Sequence, residues 1–161
     1  MSRTVVITGA TGFIGHYLVE EGIRRGYHVI AWTRNKNSAK SLLDLGAEVV
    51  QINLLDGDSL KEWMAKNQVD YFIHNAGVTK LSVYQKEDYF NGNVVTTRHV
   101  LEALRDTSCR KFAYTSSLEA SGPGDSDSLA PKQVNNGSQP ITDYGQSKYQ
   151  AEEIIRRQSI P

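Results

Sequence analysis

The sequence predicts an α/β protein built on a doubly wound parallel sheet, and three observations carry that expectation. Apolar runs of strand length alternate with helix-length stretches along the chain. The first run, "TVVIT" at residues 4–8, is an uninterrupted β-branched stretch of the kind buried on both faces of a parallel sheet. Directly after it come the glycines of "GATGFIG", which open into a helical stretch.

Each element follows in order. "TVVIT" is strand one. "FIGHYLVEEGIRRG" brings Ile14, Tyr17, Leu18 and Ile23 near one helical face, and Gly26 stands where a left-handed C-terminal cap is expected. "YHVIAWT" is strand two, "NSAKSLLDLG" a short helix with a glycine stop, and "AEVVQIN" strand three. "GDSLKEWMAKN" is a helix opened by Asp58 or Ser59, and "VDYFIHN" is strand four. "EDYFNGNVVTTRHVLEALRDT" reads as one long helix and "RKFAYTSS" as strand five. Strands alternating with helices imply right-handed crossovers. From Gly122 to about Asp143 the rhythm gives way to Gly, Ser, Asp, Asn and Pro. A segment of that length beyond strand five is expected as a lid on the substrate side, over the carboxyl ends of the strands, with a disordered surface loop as the alternative. In the closing helix, the charges of "AEEIIRRQ" read as a solvated face with Ile154 and Ile155 turned inward, and Trp32 and Trp63 read as packing residues.

The bulk numbers bound the function. The 161 residues suit one domain with a sizeable core. Lys+Arg and Asp+Glu balance at 18 each, so no global positive field draws the chain to nucleic acid or anionic lipid, and a small ligand is expected instead. Cys109 is the only cysteine, which excludes an internal disulfide and favours a reducing, cytoplasmic home. No stretch approaches the ~20 apolar residues of a membrane helix, and the start lacks the apolar core of a secretion signal. His16, His28, His74 and His99 show no metal-ligand spacing, so structural roles and no metal site are expected.

The chemistry concentrates in two places. In the glycine turn, Gly9 allows a sharp bend, Gly12 lets backbone approach a pyrophosphate, and Gly15 lets helix pack closely on strand. The helix N-terminus supplies amide donors and positive dipole to the phosphates, with Thr11, Phe13 and Ile14 as further cofactor-binding candidates. Strand two ends "AWTRN" without the carboxylate that bonds an NAD ribose. Arg34 could instead pair with a 2′-phosphate, so NADP is expected over NAD. At the other place, Tyr144 and Lys148 are one helical turn apart. A phenol is a weak base at neutral pH, but a unit charge about 4 Å away at an effective dielectric of ~20 is worth roughly 4 kcal/mol, enough to bring a phenol toward neutrality. A hydroxyl to orient substrate could come from Thr115, Ser116 or Ser117.

Taken in order, "TGATGFIG", "HNAG" at residues 74–77, "YTSS" and "YGQSK" resemble the extended short-chain dehydrogenase/reductase family, the NAD(P)-dependent epimerases and dehydratases. The resemblance covers nearly the whole chain and implies a Rossmann fold. "NGNVVTTRHVLEAL" resembles the family's Asn-x-x-Gly-Thr helix, with Asn93 and Thr97 matching and Thr96 in the glycine position. The resemblance further implies that Asn53, in the place of an Asp, and Leu54 flank the adenine. Asn75, Ala76 and Gly77 run beside the nicotinamide ribose, Ser117 is the orienting hydroxyl, and Ser121 stands where a tyrosine is common. Tyr144 and Lys148 would serve both catalysis and cofactor binding. Family members continue past the Tyr/Lys helix into strands six and seven and a C-terminal substrate region. Residues 1–161 are therefore expected to be the cofactor-binding part of such an enzyme, its sheet cut after about five strands. The implied function is an NADP-dependent oxidoreductase, epimerase or dehydratase acting on a sugar nucleotide or small carbonyl or carbinol compound. The alternative is a non-catalytic dinucleotide-binding or redox-sensing module. The open strand edge and uncovered apolar surface invite self-association, with a homodimer as the simplest form.

Overall fold

A computed structural model describes residues 2–79, 85–123 and 139–158. Five strands, β1 (Thr4–Thr8), β2 (His28–Thr33), β3 (Glu48–Gln51), β4 (Tyr71–His74) and β5 (Lys111–Tyr114), form one sheet in the order β3-β2-β1-β4-β5. All pairings are parallel, with Val6 opposite Ile30 on one side and Phe72 on the other. The strand order reverses between β1 and β4, so a crevice opens at the carboxyl ends of those two strands.

Alternation along β1 sends side chains to two cores. Val5 and Ile7 join Val19 of helix α1 (Phe13–Arg24) and Leu42 of helix α2 (Lys40–Asp44). Val6 joins Leu60 and Met64 of helix α3 (Gly57–Lys66) and Val100 and Leu104 of helix α5 (Thr96–Leu104), α5 being preceded by the short helix α4 (Lys86–Tyr89). Trp32 is buried edge-on between Trp63 and Phe72, as a packing residue should be. Both sheet faces are covered, which explains the unbroken apolar character of the central strands.

Several local expectations change. On α1 the buried face runs through Gly15 and Val19, while Ile14 and Tyr17 are more than half exposed. A Cβ at Gly22 would meet Val29 at 2.9 Å, so the bare stretch of helix, rather than its bulkiest residues, faces the sheet. Helix α3 is capped by Asp56, whose Oδ1 accepts from the Ser59 amide at 3.1 Å, so the cap lies ahead of Asp58 and Ser59. The long helix before β5 is three pieces: α4, a π-helical segment (Phe90–Val95), and α5. There, Thr96 and Thr97 donate their hydroxyls to the carbonyls of Gly92 and Asn93, and a Cβ on Gly92 would stand 2.1 Å from Val78, so the helix widens where it touches the loop after β4. The last helix, α6 (Asp143–Arg156), starts at a Thr142 cap. Most of the expected lid, residues 124–138, lies outside the described residues.

Candidate cofactor and active site

The glycine turn has the shape its residues require. Gly9 is left-handed at φ 64°, and its carbonyl accepts from the Gly12 amide at 3.1 Å. A Cβ on Gly9 would lie 2.7 Å from the Ala76 Cα, and one on Gly15 only 2.1 Å from the Gly9 oxygen. These two glycines are therefore demanded by packing. Gly12 is different: it is exposed, and a Cβ there would meet only the Gly9 oxygen, at 3.3 Å. It begins α1 in extended conformation with no side-chain cap, and no acidic residue occupies the first turn. The unspent amides and helix dipole thus face solvent beside Thr11, Phe13 and Ile14, an arrangement that fits a pyrophosphate.

At the tip of β2 a polar turn closes on itself. Thr33 and Ser38 both donate their hydroxyls to the Asn35 carbonyl, at 3.1 and 2.8 Å, and Asn35 Oδ1 accepts from the Asn37 amide at 2.9 Å. Arg34 is left exposed on the cleft side of that turn. Asn53 Oδ1 accepts from the Leu55 amide at 3.1 Å, which fixes the side chain and leaves one lone pair and the amide hydrogens to a ligand.

The opposite wall is a buried polar lattice. Thr97 gives its hydroxyl hydrogen to the Asn93 carbonyl at 2.6 Å, so toward His74 Nε2, at 3.1 Å, it can only accept. His74 therefore carries its hydrogen on Nε2, and Nδ1 accepts from Thr8 Oγ1 at 2.8 Å. Thr8 Oγ1 in turn accepts from the Ala76 amide at 3.0 Å, which presses the Asn75–Ala76–Gly77 loop onto the glycine turn. His74 is fully buried, and burial, with the charge of Lys148, lowers its pKa to about 3. It is structural, as expected. Asn93, on the π-helical segment, accepts from the Val78 amide at 2.7 Å and donates to the Val78 carbonyl at 3.0 Å and to Ser147 Oγ at 2.9 Å.

Helix α6 delivers Tyr144 and Lys148 to this wall. Thr142 Oγ1 accepts from the Gly145 amide at 2.9 Å and donates to Glu119 at 2.7 Å, tying the helix start to the segment after β5. Lys148, 4% exposed, donates to the Thr115 carbonyl at 2.6 Å and lies over the Tyr114 ring. Burial lowers its pKa to about 8, against the pull of Glu152. Glu152 is not simply solvated: it accepts from Ser116 Oγ and pairs with Arg156 at 2.7 Å.

A cleft of about 720 Å³ at the carboxyl ends of the strands gathers nearly every predicted residue. Gly9, Thr11, Gly12, Phe13, Ile14, Arg34, Asn53, Leu54, Asn75, Ala76, Gly77, Tyr144 and Lys148 all line it. Gly15 lies beneath the turn, and Ser117 is off the lining: its Oγ accepts from the Glu119 amide at 3.2 Å, capping a 3₁₀ turn (Leu118–Ser121). Ser116 and Thr115 take the place on the wall. Sequence reasoning passed over Thr33, Asn35 and Ser38 as lining residues, although their position after strand two was a usable signal. A second groove of about 850 Å³, between the ends of α3 and α5 near the amino ends of β4 and β5, gathers Lys61, Lys66, Glu102, Arg105, Asp106 and Ser108, with Lys61 and Glu102 paired at 3.6 Å, and holds none of the predicted residues.

The family model described as "NAD dependent epimerase/dehydratase family" matches residues 5–159. The chain belongs to that family. A UDP-glucose 4-epimerase of Pisum sativum is 28% identical over 96% of this chain, and one of Bacillus subtilis is 25% identical over 94%. Each match spans 47% of the relative, so the chain covers about half the length of the curated relatives it matches. A solved UDP-galactose 4-epimerase superposes with a TM-score of 0.77 at 30% identity, over 94% of this chain and 50% of the other. The Bordetella bronchiseptica enzyme WbmG, solved with NAD, shares the fold at a TM-score of 0.86 and 18% identity, over 100% of this chain and 51% of its own. Both walls of the cleft fall within the residues that the family model matches.

Proposed function

We propose that this chain is the cofactor-holding part of an NADP-dependent oxidoreductase, epimerase or dehydratase of the family, acting on a sugar nucleotide or a small carbonyl or carbinol compound. The observation that carries the reading is the single cleft in which Gly9, Gly12 and Gly77 share walls with Tyr144 and Lys148. Bound there, a nicotinamide dinucleotide supplies hydride transfer. The chain's own residues do the rest. The α1 amides hold the pyrophosphate, and Arg34 pairs with the 2′-phosphate. Lys148 turns toward the ribose at Gly77, and Tyr144 exchanges the proton of the substrate oxygen. Ser117 keeps its hydroxyl hydrogen unspent, since its cap contact uses only a lone pair, but it lies off the cleft lining and reaches that oxygen only by turning from the 3₁₀ turn toward the cleft.

The relatives' names support the substrate class, because sugar-nucleotide 4-epimerases stand among both the curated proteins and the solved structures. Titration with NADP+ and NAD+ tests the cofactor. Arg34→Ala should weaken NADP+ binding by about 1.5–3 kcal/mol, the cost of a charge-assisted hydrogen bond, and barely touch NAD+. Equal losses for the two cofactors would remove Arg34 as the selector.

A further inference from the structure

The surroundings of the Lys148 ammonium are almost entirely neutral. On one side Nζ meets the Thr115 carbonyl at 2.6 Å, and on another the ring of Tyr114, whose centroid is 4.2 Å away. A third side opens on Gly77, where a Cβ would stand 3.7 Å from Nζ. The titratable groups around it are Tyr114 on β5, His74 on β4, and Tyr144 and Glu152 on α6 itself; the π-helical segment contributes Asn93, which does not titrate. His74 is neutral by its hydrogen bonds, and its ring lies behind that of Tyr114 at 5.8 Å. Glu152 is already engaged by Ser116 and Arg156.

Tyr114 is the unexplained member. Its hydroxyl is buried beside the Thr97 side chain but makes no hydrogen bond of ordinary geometry among the described residues, an unfavourable state for a phenol. The oxygen therefore does not account for an aromatic side chain at this position, whereas the ring face does. We propose that Tyr114 is a positioning residue for Lys148: its ring face holds the ammonium charged inside the protein and aims it at the Gly77 wall of the cleft. The negative face of an aromatic ring attracts a cation most strongly where water is excluded, as here. This deepens the functional reading above, because Lys148 is assigned there to the cofactor ribose.

The test follows the Lys148 Nζ resonance of the ¹⁵N-lysine-labelled chain against pH, without cofactor, with Lys148→Arg giving the assignment. Position 114 is varied from Tyr to Phe, then to a ring-fluorinated phenylalanine of the same shape whose face has lost its negative charge. Tyr114→Phe should titrate within a few tenths of a pH unit of the parent, and the fluorinated ring about one pH unit lower. NADP+ affinity at about pH 8 should fall several-fold with the fluorinated ring, as the charged fraction of Lys148 drops. The proposal is overturned if the fluorinated ring titrates with Phe. It is equally overturned if Tyr114→Phe alone moves Lys148 as far, because the effect would then belong to the hydroxyl. Since the titration needs no cofactor, a chain that binds no dinucleotide yet follows the ring series would sink the proposed function and uphold the role of Tyr114.

Discussion

The two walls of the cleft are built from different materials. The β1–β2 wall is mostly backbone: a left-handed Gly9, an exposed Gly12, the open N-terminus of α1, and side chains such as Phe13 and Arg34 that reach into solvent. The β4–β5–α6 wall is buried side chain, in which Thr8, His74, Thr97, Asn93 and Ser147 hold one another and the loop after β4, while Lys148 is held by the Thr115 carbonyl. In the proposed function the first wall binds by leaving groups unspent, the second by spending them in advance. Changes on the first wall should therefore split cleanly into fold and binding effects. Changes on the second should cost stability and function together.

The largest effect breaks that comparison at its foundation. Gly15→Ala sets a methyl 2.1 Å from the Gly9 oxygen and 2.7 Å from the Ala10 Cα, both backbone, so α1 must lift from the sheet. A loss of roughly 3 kcal/mol or more is expected in urea denaturation. Gly12→Ala, three residues earlier, should leave the denaturation midpoint nearly unchanged and weaken dinucleotide binding at least tenfold in a fluorescence titration, about 1.4 kcal/mol. Similar stability losses for both variants would show that the turn is one packing unit rather than a packed glycine and a binding glycine.

Next comes Asn93, the keystone of the second wall. Asn93→Leu keeps the size and strands the Val78 amide, the Val78 carbonyl and one partner of Ser147. Leaving such groups unpaired should cost about 2–4 kcal/mol in denaturation, with a parallel fall in dinucleotide affinity because the Gly77 loop is no longer held. A variant that lost stability yet bound dinucleotide normally would separate the lattice from the site.

That contrast also explains what was legible beforehand. A wall made of backbone is written in local residues, so the strand, glycine turn and helix of the first crossover could be read directly, as could Tyr144 and Lys148 one helical turn apart. A wall made of side-chain contacts is written across the chain: Thr8, His74 and Thr97 meet only after the sheet forms. Asn93 was visible as a motif but not as the clamp on Val78, because the π-helical widening that lets it reach has no periodicity signal. Ser117 illustrates the same limit. Its place in the motif was readable, but its capping of the turn at Leu118, and the contact of Ser116 with Glu152, depend on where α6 packs.

The smallest effect sharpens the comparison through pH. His74 has a native pKa of about 3, below the ordinary value of 6.5, because burial and Lys148 oppose its charge. Above about pH 6.5 neither the folded nor the unfolded chain protonates it, and it contributes no pH dependence. As the pH falls below that, the unfolded chain takes up a proton that the folded chain refuses, so stability drops by up to about 1.4 kcal/mol per pH unit until the native pKa is reached. Between pH 7 and pH 5 the loss assigned to His74 is about 2 kcal/mol. His74→Gln, which cannot titrate, should start lower at pH 7, since it replaces two fitted hydrogen bonds, but should fall less steeply over the same interval. Subtracting the two stability profiles removes the carboxylates common to both chains and leaves the His74 contribution. Parallel profiles would mean that His74 protonates within the folded lattice, and the second wall would then be loose enough to admit a charge.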